Sequence, residues 1–130
     1  MAYIHNDDDG YRAGVETVSL DDLSEGDVTI RCHWSSVNYK DALAGTGKGK
    51  IASVFPVVGG IDVAGVIESS DDPRYAAGDP VLVTGCGLGE ERDGGYAQYM
   101  TVPQGFAYPI PHVFGDAEAA PLLCAGAVGY

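Results

Sequence analysis

Apolar and polar residues alternate most cleanly over residues 27–34. Val28, Ile30, Cys32 and Trp34 fall on one side, with Thr29, Arg31 and His33 on the other. A period of two is that of a half-buried strand. Residues 14–20 carry a weaker alternation, Val15, Thr17 and Ser19 against Glu16, Val18 and Leu20, and predict another strand. The polar stretch 21–27 between them is a turn. An apolar run over residues 57–70 is punctuated by Gly59, Gly60 and Gly65. Glycines inside such a run predict a bulge or a close approach of backbone. Gly78-Asp79-Pro80 leads into the strand Val81-Leu82-Val83-Thr84, residues 85–95 form a glycine-rich charged loop, and residues 95–102 alternate enough for one more strand. Helix is expected in two places. One is short, carries Asn38 to Leu43, is capped by Ser35-Ser36 and is ended by Gly45 and Gly47. The other starts in the acidic turn 116–120, with Pro121 at the first position of a new helix. Short strands at this spacing predict a mainly β chain, a small partly open β-barrel with short helices.

Composition agrees with a single folded domain. The chain has 130 residues, 45% hydrophobic and 20% charged, with 19 glycines and 7 prolines spread along it. That is long enough for a core without disulfide staples and too apolar for a disordered linker. The formal net charge of −12 disfavours nucleic acid and anionic membrane surfaces as partners, since both are bound by Lys and Arg. The acidity favours solubility, or reflects a salt-rich cytoplasm. No apolar run approaches the roughly 20 residues that span a bilayer. The start, with Asp7-Asp8-Asp9, lacks the basic and apolar regions of a signal peptide. Cys32, Cys86 and Cys124 show no C-x-x-C spacing and read as reduced thiols of a cytoplasmic protein.

No dinucleotide fingerprint is present. Gly59, Gly60 and Gly65 lack its spacing. Gly85-x-Gly87-x-Gly89 follows a strand, but Glu90, Glu91 and Asp93 come next, and carboxylates repel a pyrophosphate. A nucleotide-binding Rossmann domain is therefore expected to be absent from these 130 residues. The final residues remain apolar to Tyr130, without a closing turn. They are expected to be the start of a connecting helix, 116–130, following an incomplete domain of residues 1–115 in a longer protein.

The candidate chemistry lies in two segments. One is His33-Trp34-Ser35-Ser36-Val37-Asn38-Tyr39-Lys40-Asp41-Ala42-Leu43-Ala44, followed by Thr46-Gly47-Lys48-Gly49-Lys50. The other is Gly60-x-Asp62-x-x-Gly65, with Ala77-Gly78-Asp79-x-Val81 and Gly94-Gly95-Tyr96-Ala97 further on. In this order they resemble the N-terminal, GroES-like catalytic domain of the medium-chain dehydrogenase/reductase superfamily, from about residue 15 onward. The first run resembles the zinc-independent, quinone-oxidoreductase-like group that contains the acryloyl-CoA reductases (YhdH/AcuI type). Asp71-Asp72-Pro73-Arg74-Tyr75 and the run from Thr84 to Glu90 fit the same group.

This resemblance implies a substrate-binding half of an NADPH-dependent oxidoreductase, inactive alone, that reduces an activated C=C bond in an enoyl thioester or quinone-like substrate. It further implies a homodimer of the full-length protein. By resemblance the catalytic residues are Asn38, Tyr39 and Asp41, and those meeting the coenzyme are Asn38, Tyr39 and Lys48. Negative charge building on a thioester oxygen needs a donor, which the Asn38 amide can supply, and Tyr39 or a water can deliver the proton. Asp41 is expected to fix the loop. On the residues alone, Asn38-Tyr39 reads more readily as a helix cap and a packed ring than as catalytic, and Lys48 and Lys50 as solvated loop cations. Trp34 and Tyr96 are expected to pack.

Zinc-dependent relatives carry a Cys and a His where Asn38 and Ile61 stand, and neither of these replaces a strong zinc ligand. No metal is expected. Cys124 matches their third ligand and reads here as a buried apolar residue. Two other readings stay open: a stand-alone, non-catalytic GroES-like binding or assembly module, and a fragment of a zinc-dependent alcohol dehydrogenase.

Overall fold

The structure, a computed structural model, describes residues 1–115. The expected turn at 116–120, the helix from Pro121 and Cys124 lie outside them. Along the chain come β1 (Ala2–Asp7), β2 (Gly10–Val15), β3 (Val28–Trp34), α1 (Tyr39–Thr46), β4 (Val57–Val58), β5 (Asp62–Ser70), β6 (Pro80–Thr84), β7 (Tyr99–Val102) and β8 (Tyr108–Pro109). The strands form two open sheets, ordered β2-β1-β4 and β7-β3-β5-β6-β8. Every pairing between these strands is antiparallel. The described residues thus form the mainly β, partly open arrangement expected, with no parallel strand–helix–strand unit.

The strands form where the apolar pattern is strongest. Val28 and Ile30 of β3, Val63 and Ile67 of β5, Val81 and Val83 of β6, and Met100 and Val102 of β7 are all no more than 1% exposed. Full burial of such side chains contributes about 1.5–3 kcal/mol each. In the β3–β5 ladder Cys32 pairs with Gly65 and Trp34 with Ala64, a bulge of one extra residue on β3. A Cβ on Gly65 would lie 2.1 Å from the Arg31 carbonyl oxygen, so only glycine allows this approach. The bulge turns Trp34 out of the row begun by Val28 and Ile30 and leaves it 38% exposed.

Residues 1–20 depart from expectation. The strand predicted over 14–20 ends at Val15, the last residue of a β1–β2 hairpin with Asp7 opposite Gly10. Gly10 has φ 99°, a left-handed value that suits the Asp-Gly turn. The expected strand over 95–102 forms only from Tyr99, and β8 had no periodic signal at all.

Two contacts tie other segments to the three-stranded sheet. Ala44 of α1 packs with Ile4 of β1 and Val57 of β4. The buried Asp93 carboxylate accepts hydrogen bonds from the Val58 backbone N–H (2.8 Å) and from the Ser24 N–H (2.7 Å) and hydroxyl (3.0 Å). A buried carboxylate is retained where several donors satisfy it.

The described cysteines differ sharply in reactivity. Burial pushes the Cys32 thiol up to about 12, while Cys86 is exposed. Since the thiolate is the nucleophile, an aromatic disulfide reagent at mildly alkaline pH is expected to label Cys86 and to leave Cys32 untouched until denaturant is added. Peptide mapping of the labelled chain checks this; label on Cys32 under native conditions contradicts the burial.

Candidate active site

Beyond the bulge in β3, the chain runs through residues 35–38 into α1, and this turn is held by one buried carboxylate. Asp62, only 1% exposed, opens β5 directly beneath it. Its Oδ1 accepts from the Ser36 backbone N–H (2.9 Å) and the Ser35 hydroxyl (3.3 Å), and its Oδ2 accepts from the Ser36 hydroxyl. The Ser35 hydroxyl also lies 2.8 Å from the Asp62 carbonyl oxygen.

With its single proton directed to Asp62, the Ser36 oxygen acts as an acceptor towards Asn38, whose Nδ2 donates to it at 2.8 Å. The same Nδ2 donates to Asp41 Oδ2 at 3.1 Å, and the Asn38 backbone N–H reaches that oxygen at 2.9 Å. Asn38 is therefore the N-cap residue of α1, two positions beyond Ser36 of the serine pair expected to cap it, with Asp41 reaching back from the first turn. The carboxylate of Asp41 also suits the positive end of the helix. Gly47, at φ 73°, terminates the helix, and Gly45 lies within it.

Of the residues singled out by sequence, the fold brings Asn38 and Asp41 into direct contact. Tyr39 stands next to them with 81% of its surface exposed, and Val37 on the other side is 88% exposed. Lys48 follows the helix and is exposed; at ~1.5 Å rise per residue, α1 separates it from Asn38 by roughly 12 Å. Lys40 forms an ion pair with Glu90, joining α1 to the glycine-rich loop. Both amide N–H groups of Asn38 are engaged within the loop, so its expected role as a donor to substrate requires one of them to change partner.

Tyr96 completes the site and was expected only to pack. It does pack against the cluster of Tyr3, Leu23 and Val58. Its hydroxyl in addition donates to the Ser36 carbonyl oxygen at 2.8 Å. Burial, with the Asp41 carboxylate and then Asp62 nearby, holds its acidity well below that of an ordinary phenol. Sequence reasoning also missed what Asp62 does. The available signal was a lone carboxylate within the apolar stretch 57–67, a place where charge is tolerated only when paired.

The glycine-rich loop is not a phosphate cradle. The backbone N–H groups of Leu88, Gly89, Glu90, Glu91 and Arg92 all donate to carbonyls of the same loop, leaving none of these to an anion. At the two ends of α1 the exposed side chains are Tyr39 and Lys48, with Asn38 next to Tyr39. Among the described residues, no three His, Cys, Asp or Glu side chains form a group able to hold a metal ion.

The profile of the alcohol dehydrogenase GroES-like domain matches residues 24–112. Over 120 residues the chain is 48% identical to a protein named probable acrylyl-CoA reductase from Escherichia coli (strain K12), covering 86% of this chain and 37% of that one. It is 40% identical over 115 residues to the acrylyl-CoA reductase of Ruegeria pomeroyi, covering 88% of this chain and 35% of that protein. It thus spans little more than a third of the length of these curated relatives. Among solved structures, E. coli K-12 YhdH with bound NADPH superimposes with a TM-score of 0.88 at 44% identity, over 96% of this chain and 39% of that one.

Proposed function

The chain belongs to the alcohol dehydrogenase GroES-like domain family, and from that membership we propose that it forms the substrate-binding part of a zinc-independent, NADPH-dependent oxidoreductase. The proposed reaction is reduction of an activated C=C bond, in an enoyl thioester such as acrylyl-CoA or in a quinone-like acceptor. The relatives named above support the reaction class. The observation that carries the assignment of residues is the exposed Tyr39 beside an Asn38–Asp41 pair, on a loop buttressed by Asp62.

NADPH, when bound, supplies a hydride to the β-carbon of the double bond. The electron pair displaced from that bond collects on the α-carbon and the thioester oxygen, and a proton must reach the α-carbon. Tyr39 delivers that proton, directly or through a water. Asn38 serves the developing oxyanion by exchanging Ser36 or Asp41 for it, a swap that leaves the number of hydrogen bonds unchanged. Asp41 holds the cap of α1 and moves no proton. Asn38, Tyr39 and Lys48 are the proposed contacts of this chain with the coenzyme. A cytoplasmic homodimer is the proposed setting; among the described residues, no helix is long and apolar enough to cross a membrane.

The test is NADPH oxidation by acrylyl-CoA, run on the polypeptide produced by its own gene. Turnover is expected, with Tyr39→Phe lowering kcat by about 100-fold or more, the range typical of a lost general acid. If neither acrylyl-CoA nor quinones oxidise NADPH, the reductase reading fails and a non-catalytic GroES-like module takes its place.

A further inference from the structure

We propose that Tyr96 is a positioning residue for the Asn38–Asp41 pair, acting through the backbone of Ser36. This inference rests on the assignment of that pair to the reductase site.

Residues 35–37 belong to no strand or helix, and the first backbone bonds of α1 begin only at the Asn38 carbonyl, so no ladder fixes the peptide planes before it. Two side chains do so instead, one on each side of Ser36. Asp62 takes its N–H at 2.9 Å, and Tyr96 donates to its C=O at 2.8 Å. The plane on the Asp62 side is thereby tied to β5, and the plane leading to Val37 and Asn38 is tied to Tyr96.

Tyr96 itself has little freedom. Its backbone N–H donates to the Gly59 carbonyl at 3.0 Å, and its carbonyl accepts from the Ala2 N–H at 2.9 Å. Its ring lies so close to Gly60 that a Cβ there would sit 2.9 Å from the ring edge. A ring filling this space needs no hydroxyl for its packing, and a partly buried hydroxyl is costly unless bonded. The Tyr96 hydroxyl spends its proton on the one carbonyl that sets the direction of the chain into Asn38. Asp41 Oδ1 is buried without a hydrogen-bond partner, and the Asp41 carboxylate lies near enough to the phenol to raise its pKa. Loss of the phenol proton would place a second negative charge beside that carboxylate, so the hydroxyl stays a donor across the physiological range.

Hydrogen exchange of the Asn38 backbone amide, together with the NMR signals of its side-chain NH2 group, tests this in the 130-residue chain. Tyr96→Phe is expected to speed Asn38 exchange about fivefold to tenfold, the effect of one lost hydrogen bond on a local opening, and to shift the side-chain signals. Tyr75→Phe is the control, because it removes a comparable bond from a hydroxyl to the Ala107 carbonyl (2.8 Å), a partner outside residues 35–38. It should leave Asn38 unmoved. If Tyr96→Phe does not fold, 3-fluorotyrosine at position 96 keeps the ring while making the phenol a more acidic, stronger donor to the Ser36 carbonyl, and the altered bond should shift the Asn38 signals. Asn38 exchange and signals that match wild type in either substituted protein would overturn the positioning role. Failure of the NADPH assay would overturn the reductase reading and leave this result intact.

Discussion

Gly94→Ala is expected to destabilise the native fold severely, although it adds a single methyl group. A Cβ at that position would lie 2.0 Å from the Gly60 carbonyl oxygen and 2.6 Å from that of Gly59. Both obstacles are backbone, so no rotamer change relieves them. The chain crosses itself here through three hydrogen bonds: Gly94 N–H to Val58 O at 2.8 Å, Gly95 N–H to Gly60 O at 3.1 Å and Tyr96 N–H to Gly59 O at 3.0 Å. Separating the strands enough for a methyl breaks all three and withdraws Tyr96 from Ser36. The expected loss is about 4 kcal/mol or more, against a total stability of roughly 5–15 kcal/mol for a domain. Gly45→Ala makes the contrast. It lies inside α1, nothing stands within 4 Å of its Cβ position, and its substitution is expected to stabilise by about 0.5–1 kcal/mol. Urea denaturation followed by circular dichroism compares the two. A Gly94→Ala chain that unfolds with the wild-type midpoint would contradict the crossing geometry.

That crossing explains why part of the fold could be anticipated from sequence and part could not. β3, β5 and β6 follow from local pattern, because Val28, Ile30, Val63, Val81 and Val83 report burial through their own periodicity. Gly65 announced a close approach, and the bulge against Arg31 and Cys32 supplied it. The first hairpin was hidden because Asp7-Asp8-Asp9 reads as a solvated acidic run, and the turn signal is the Asp9-Gly10 step at its end. Past Val15, alternation persists but only Val18 is partly buried, against the cluster of Tyr3, Leu23 and Val58, so periodicity there records no strand. In the site, Asn38, Tyr39 and Asp41 share one local motif and could be chosen together. The support from Asp62 and Tyr96 comes from 26 and 60 residues away along the chain, a separation that no short-range spacing encodes.

Asp62→Asn is the second substitution expected to have a large effect, and the direction of the hydrogen bonds explains why so conservative a change should matter. In the native site every proton points inward to Asp62: the Ser36 N–H, the Ser36 hydroxyl and, more distantly, the Ser35 hydroxyl. This leaves the Ser36 oxygen ready to accept from Asn38. An asparagine at 62 keeps one acceptor and places an NH2 where Oδ2 was. If that NH2 faces Ser36, the serine oxygen receives two amide donors and its own proton loses its acceptor; if it faces the backbone N–H, two donors oppose each other. Either arrangement removes a charge-assisted bond and strands a buried donor, a loss of about 2–3 kcal/mol. Asp62→Ala, which strands both Ser36 donors while the Ser35 hydroxyl keeps the residue-62 backbone carbonyl, should cost more. The cause can be separated from general loosening by a double-mutant cycle. Ser36→Ala should destabilise the wild-type chain, which loses a partner of the buried carboxylate, and cost little or nothing once Asp62 is Asn, because it removes the misdirected hydroxyl. Additive losses in that cycle would mean that Asp62 supports the loop by bulk alone. Strong coupling would mean that the polarity of this one carboxylate runs through Ser36 to set the amide of Asn38.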